Sequence, residues 1–322
     1  MSNIYVFGEC MIELRADKAL NSSPNDAASK ILRQAFAGDV LNTAVYMKRT
    51  FPSLNSHFIS AVGKDKFSEE MLHFFKEEQV GCDFVFKSEN KIPGLYAIET
   101  DNAGERTFNY WRENSAAKSV MSFINEDVIA QLCQGDMFFF SGISLAVIIP
   151  EHRPLFWQMV EQLKLAGVSI VFDPNYRARM WDTAEQAKEQ FEQAFALADI
   201  ALPGVDDFQQ LYGINDAEGV FEFCQQFSIQ ELIIKNGEAG ILCYCQDKKH
   251  QFSVTPVTNV VDTTSAGDSF NGVYLGARIS KKSIDFALII ASAAAGFVIQ
   301  HQGAIVPKAI FNQFIENHLF DH

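Results

Sequence analysis

The chain is short of positive charge, has no paired cysteines and carries no long apolar run. Each shortage removes a class of function. Its 322 residues hold 26 Lys and Arg against 40 Asp and Glu, a formal net charge of −14. A surface this acidic repels polyanions, so neither nucleic acid nor an anionic membrane is expected as a partner. Small anions are not barred, because a few local arginines and backbone amides outweigh the global field. Apolar runs such as residues 137–140 are far too short to span a bilayer. No basic region followed by a long apolar stretch opens the sequence, so no signal peptide is expected. The six cysteines (Cys10, Cys82, Cys133, Cys224, Cys243 and Cys245) form no C-x-x-C pair, and none stands at zinc spacing from a histidine. Cys243 and Cys245 would share one face of a strand, yet reduced cysteines packed as small hydrophobes are the simpler reading. A reducing, cytoplasmic location is the expectation.

Two phosphate-binding signatures are also missing. Without G-x-x-x-x-G-K-[ST] the chain is not a P-loop protein. The first apolar segment leads into Gly8-Glu9-Cys10-Met11 with no G-x-G-x-x-G, which argues against a nicotinamide-dependent dehydrogenase. The seven histidines share no ligand spacing. No repeat, low-complexity tract or Gly-, Ser- or Pro-rich linker interrupts residues 1–322, which are read as one domain.

What is present is alternation. Short apolar or β-branched runs at 4–7, 57–62, 137–140, 169–172, 200–202 and 231–234 predict buried strands. Helical spacing separates them at 43–49, 68–78, 155–166, 184–197 and 216–226, and the chain turns helical again from Ser283. Such a rhythm specifies an α/β fold: a mainly parallel sheet with helices on both faces, a three-layer sandwich. The 29 phenylalanines are assigned to its core.

One stretch breaks the rhythm. Residues 91–111 alternate apolar and polar around Asp101-Asn102-Ala103-Gly104, which reads as a hairpin. With further strands in 11–37 it would form a small antiparallel lid over a site at the sheet's C-terminal edge. Trp111 should face away from Tyr110 and Arg112 on a two-residue alternation, toward a subunit contact. Edge strands of this kind invite a partner's lid, so a homodimer is expected.

The strongest chemical signal is Asp262-Thr263-Thr264-Ser265-Ala266-Gly267-Asp268-Ser269-Phe270-Asn271-Gly272, which follows a β-like run and opens an apolar helix. Small residues at Ser265, Ala266 and Gly267 let backbone approach a ligand, and the free N–H groups of a first helical turn bind anions. Asp268 stands beside that anion. Donors for a phosphoryl in flight plus a carboxylate to take a hydroxyl proton are what phosphoryl transfer to an alcohol needs. A lone Asp at a helix start is ordinarily a cap, but a cap needs neither the Gly nor the paired Asp262.

This string resembles the C-terminal signature of the ribokinase-type (PfkB-type) sugar kinases, D-T-x-x-A/G-G-D-x-F. Ala37-Gly38-Asp39-Val40-Leu41-Asn42-Thr43-Ala44 resembles their N-terminal G-G-x-x-x-N-x-A motif. The resemblance implies a ribokinase-like fold, Mg·ATP as phosphoryl donor, Asp268 as base, and Ser265, Ala266 and Gly267 as anion hole. It further implies that Gly38, Asp39 and Asn42 hold the sugar. Lys235-Asn236-Gly237-Glu238-Ala239-Gly240 is similar to the family's nucleotide loop, which implicates Lys235, Gly237 and Gly240 with the nucleotide.

A narrower similarity is to the kinases of the sugar acid 2-keto-3-deoxygluconate. It rests on Gly8-Glu9-Cys10-Met11-Ile12-Glu13-Leu14, Pro93-Gly94-Leu95-Tyr96, Gly104-Glu105-Arg106-Thr107-Phe108, Tyr110-Trp111-Arg112 and Asp173-Pro174-Asn175-Tyr176-Arg177. That branch implies Tyr96, Tyr110, Arg112 and Arg177 as substrate residues, with Asn175 and Arg177 also reaching the nucleotide. A carboxylate substrate asks for a guanidinium fork and phenolic donors where a neutral sugar does not. A neutral sugar such as fructose, a nucleoside, or a sugar-acid sensor without catalysis remain the alternatives. Three departures stand out: Ala37 and Ser265 replace glycines, and the metal-organising N-x-x-E segment is Gly204-Val205-Asp206-Asp207. Asp207 there takes the Glu position, acting on magnesium indirectly.

Overall fold

The computed structural model describes residues 2–16, 31–100 and 106–319. The expected turn at Asp101-Asn102-Ala103-Gly104, Glu105 and residues 17–30 lie outside the described residues. The strands are β1 (Asn3–Phe7), β2 (Met11–Ala16), β3 (Leu32–Ala37), β4 (Asn55–Val62), β5 (Gly81–Lys87), β6 (Gly94–Thr100), β7 (Arg106–Trp111), β8 (Met137–Ser141), β9 (Ser169–Asp173), β10 (Ile200–Ala201), β11 (Glu231–Lys235), β12 (Ile241–Cys245) and β13 (Lys248–Phe252). The helices are α1 (Asp39–Thr50), α2 (Lys66–Glu77), α3 (Glu126–Leu132), α4 (Gly142–Val147), α5 (Arg153–Leu165), α6 (Ala184–Leu197), α7 (Val205–Tyr212), α8 (Ala217–Cys224), α9 (Ala266–Ile279), α10 (Ile284–Val298) and α11 (Lys308–Leu319).

The large sheet runs β13-β12-β11-β10-β9-β8-β1-β4-β5. From β11 to β5 every neighbouring pair is parallel, and β12 and β13 extend the sheet antiparallel. Strand periodicity sorts its side chains into two cores. Tyr5, Phe7, Phe138 and Phe140 turn to one face, where α5 and α6 cover them with Phe156, Phe191 and Phe195. Ile4, Val6, Met137 and Phe139 turn to the other, under α1, α9 and α10. Each of these buried side chains contributes about 1.5–3 kcal/mol. The strands at 4–7, 57–62, 137–140, 169–172, 200–202 and 231–234 and the helices between them are present, but the β-like run before Asp262 is not a strand: residues 258–261 are irregular. The pattern did not single out β5 and β13, because both are edges: β13 is almost wholly exposed and β5 only half-buried.

The small sheet has the order β3-β2-β6-β7. Two antiparallel ribbons, β2–β3 and β6–β7, meet along a parallel β2–β6 seam. Its inner face carries Met11, Tyr96, Phe108, Tyr110 and Arg112 toward the body. Trp111 alternates outward as expected and is 61% exposed.

Close contact of α1 with α9 depends on Gly272. A Cβ there would stand 2.3 Å from the Thr43 carbonyl oxygen and 2.9 Å from the Met47 nitrogen, both backbone atoms of α1. Gly272→Ala should therefore push the two helices apart and cost about 1–3 kcal/mol. Chemical denaturation checks this: an unchanged midpoint would show that the helices have room to spare.

Candidate active site

A cavity of about 990 Å³ lies where the parallel strands end, roofed by the inner face of the small sheet. Strand ends and helix starts supply its polar residues, as expected at the carboxyl edge of an open α/β sheet. Most helices here start on a side-chain cap: Asp65, Asn125, Ser141, Thr183, Asp216 and Ser283 each accept from a first-turn N–H. Three that open on the cavity, α1, α7 and α9, do not. Gly38 precedes α1 and Ser265 precedes α9, and neither side chain caps its helix. A helix start without a side-chain cap can offer first-turn amides to a ligand.

Asp268 occupies the first turn of α9, half-buried, and its Oδ2 accepts from Asn42 Nδ2 on α1 at 2.8 Å. Burial, then the nearby charge of Asp39, raises its pKa to about 7, against the lowering effect of Asn42. A carboxyl poised there can give and take a proton near neutrality. Gly267 is exposed to the cavity. Ala266 N–H makes a long 3.3 Å bond back to the Thr263 carbonyl, closing the turn. Ser265 achieves that turn in the left-handed region, φ 65°, a conformation glycine adopts without cost. The glycine this position has in the resembled signature thus has a backbone reason. Ala37, at the other replaced glycine, packs with Met11 and Tyr96 beneath the lid.

Around this pair the acids are individually satisfied. Asp39 Oδ2 accepts from Ser141 Oγ (2.5 Å) and Asn175 Nδ2 (3.0 Å), and burial raises its pKa. Asn175, expected near the nucleotide, thus holds Asp39 through its side chain. Its own backbone has φ 34°, a region asparagine tolerates. Gly38 is pressed against β1's exit: a Cβ would lie 2.2 Å from the Glu9 carbonyl oxygen. Asp173, buried at the end of β9, accepts from Lys235 Nζ (3.2 Å) and Asn271 Nδ2 (2.5 Å). Lys235 also donates to Asn271 Oδ1 at 3.1 Å, and its ammonium lies 3.9 Å from where a Gly267 Cβ would stand. A fixed cation therefore faces the turn before Asp268. Gly237 (φ 50°) and Gly240 (φ 99°) shape the loop after Lys235.

Asp207 lines the cavity, but both its oxygens are engaged. Oδ1 accepts from Tyr176 N at 2.8 Å and Oδ2 from Gly204 N at 3.3 Å. Burial and Asp173 raise its pKa to about 6, opposed by Lys235 and Arg177. Among the described residues no group of three His, Cys, Asp or Glu is placed to hold a metal. This donor set fits a divalent ion that keeps its waters and reaches Asp207 through one of them.

On the lid side, Tyr96 and Tyr110 stack with centroids 5.6 Å apart. Tyr96 donates its hydroxyl to buried Glu13 at 2.5 Å. Arg112 forms an ion pair with Glu9, which is 2% exposed; Glu9 Oε1 and Arg112 Nε have no protein partner. Arg177 lies 3.8 Å from Asp207 and donates to the Tyr176 carbonyl at 2.8 Å. Arg179 donates to the Tyr110 hydroxyl at 2.5 Å.

All the residues expected at the site line this cavity or border it. Six further side chains join them: Glu9, Glu13, Ser141, Asp173, Asn271 and Arg179. Four of these six lay inside strings the sequence offered, but a string does not say which of its residues turn inward. Ser141 lay at the end of a predicted strand with no chemical pattern around it.

The profile of the pfkB family of carbohydrate kinases matches residues 1–310. The chain is 36% identical over 313 residues to the 2-dehydro-3-deoxygluconokinase of Haemophilus influenzae, covering 96% of each chain. It is 37% identical over 311 residues to that of Dickeya dadantii, covering 95% of this chain and 97% of the relative. A solved structure of a putative ribokinase II from E. coli, in complex with ATP and Mg2+, superposes with a TM-score of 0.83 at 22% identity, covering 99% of this chain and all of the other.

The Glu9–Arg112 pair makes one substitution misleading. Arg112→Ala leaves the Glu9 charge buried and unpaired, and should cost about 3–5 kcal/mol of stability whatever the ligand. Glu9→Gln added to Arg112→Ala should recover a large part of that loss in a thermal or denaturant melt. If the double variant is no more stable than the single, the two do not act as a pair.

Proposed function

Because the chain belongs to the pfkB family of carbohydrate kinases, we propose that it transfers the γ-phosphoryl of ATP to the 6-hydroxyl of 2-keto-3-deoxygluconate, also called 2-dehydro-3-deoxygluconate. The observation that carries this reading is Asp268: a carboxyl with pKa about 7 at the first turn of an uncapped helix, tied to Asn42 across the cavity. The acceptor oxygen forms its bond to the γ-phosphorus as the bond to the β–γ bridging oxygen breaks. The hydroxyl proton passes to Asp268, and ADP leaves with the electron pair. First-turn N–H groups at Ser265, Ala266 and Gly267, with Lys235 beside them, meet the charge on the phosphoryl. Mg2+ arriving with the nucleotide would offset phosphate charge, held by phosphates and water with Asp207 in its outer sphere.

Gly38, Asp39 and Asn42 hold sugar hydroxyls in this reading, while Tyr96, Tyr110, Arg112 and Arg177 bound the acid end. Gly237 and Gly240 give the adenosine side its close approach. Identity of 36–37% to two kinases of this sugar acid supports the choice of acceptor. No helix among the described residues is long and apolar enough to cross a membrane, and all six cysteines are free. Both features suit the cytoplasm, where ATP is supplied. We further propose a homodimer through the outer face of the lid. Trp111, at the free edge of the lid, is the exposed large hydrophobic on β7 and faces away from Tyr110.

ADP release should be strong with 2-keto-3-deoxygluconate and weak with gluconate, fructose, ribose or adenosine; preference for a neutral acceptor would overturn the acid reading. A base must be ionised, so kcat/KM should climb tenfold per pH unit below about 7 and level off above it. Asp268→Asn should abolish that limb and cut kcat by orders of magnitude. The fold raises this carboxyl's pKa, so it resists the ionised form; removing the charge should stabilise the protein more at pH 8 than at pH 5. Trp111→Asp should shift the mass seen by light scattering from dimer to monomer, and a wild-type monomer would end the dimer proposal.

A further inference from the structure

A carboxylate ligand entering this cavity meets carboxylates first. Glu9, Asp39, Asp173, Asp207 and Asp268 all border it. Its cations are mostly spent on them: Arg112 on Glu9, Lys235 on Asp173, and Arg177 within 3.8 Å of Asp207. Arg179 differs. It sits on the rim, exposed, and among the described residues it has no carboxylate partner.

Arg179 is nevertheless held in place. Its guanidinium lies 4.1 Å from the centroid of the Tyr110 ring, a cation–π contact, while one of its nitrogens donates to the Tyr110 hydroxyl oxygen. Tyr110 is itself stacked on Tyr96. Since the phenol oxygen accepts from Arg179, its own hydrogen is turned elsewhere. The remaining guanidinium N–H groups and this O–H therefore form adjacent donors across the seam between lid and body.

We propose that Arg179 is a specificity-determining residue of the acceptor site, supplying the uncompensated positive charge that lets this cavity take a sugar acid instead of a neutral sugar. Arg112 and Arg177 shape the acid end but bring no net charge to it. Because Tyr110 belongs to the lid and Arg179 to the segment after β9, a carboxylate bridging the two also draws the lid toward the body. This inference rests on the sugar-acid reading and refines it.

The test compares 2-keto-3-deoxygluconate with 3-deoxyfructose, its neutral analogue with a hydroxymethyl group in place of the carboxylate. Wild-type enzyme should favour the acid. Arg179→Met keeps an apolar stem against Tyr110 and should raise KM for the acid about ten- to a hundredfold, the worth of a charged hydrogen bond. KM for the neutral analogue should rise by a clearly smaller factor than KM for the acid, and Arg179→Lys should restore part of the acid preference. A KM for the acid unchanged in Arg179→Met would overturn the proposal while leaving the sugar-acid reading intact. So would an equal loss with both acceptors, which marks a merely structural role. Wild-type preference for 3-deoxyfructose would overturn both together.

Discussion

Contact between α1 and α9 is the constraint on which the site depends. Their backbones touch at Gly272 and Thr43, so the first turns of both helices open on one cavity, and Asn42 of one reaches Asp268 of the other. Neither helix start has a side-chain cap. An uncapped helix start is a local cost of about 1 kcal/mol. It persists where the surrounding packing fixes the backbone regardless, and the large apolar core on that face of the sheet does so here.

The second theme is crowded negative charge. Asp39, Asp173, Asp207 and Asp268 gather at the strand ends because parallel strands all finish at one edge, and turns starting there favour Asp and Asn. Their mutual repulsion is relieved unequally. Asp173 has Lys235 and Asn271; Asp207 has two main-chain donors; Asp39 has Ser141 and Asn175. Asp268 has Asn42 and the field of Asp39, so it is left with a pKa near 7. Asp39 and Asp173, themselves satisfied, thus add to burial in raising the pKa of Asp268. Lid and body both line the cavity, the lid with the Tyr96–Tyr110 stack and the Arg112–Glu9 pair, the body with Gly38, Asp39 and Asn42.

Much of this was legible in the residues. Periodicity of two and of about 3.6 placed the strands and helices, because burial on one or both faces writes itself directly into apolar spacing. Alternation placed Trp111 outside and Tyr110 inside the lid. The string from Asp262 to Gly272 stood out because small residues, an acid and a helix start seldom coincide by chance, and its Ser265–Asp268 turn lines the cavity. Edge strands such as β13 left almost no trace, since an exposed ladder makes no demand on hydrophobicity.

What the sequence by itself determined is therefore the local and the periodic: α/β architecture, the phosphoryl-transfer string, and membership in a recognisable set of sugar kinases. Tertiary structure alone decided which charges cancel. Arg112, Arg177 and Arg179 look equivalent in one dimension, yet Glu9 lies 103 positions from Arg112 and neutralises it. Arg177 lies near Asp207, and Arg179 rests on Tyr110 with no acid beside it. Coulomb energy depends on distance through space and on the water excluded between charges, and neither quantity is written in residue order.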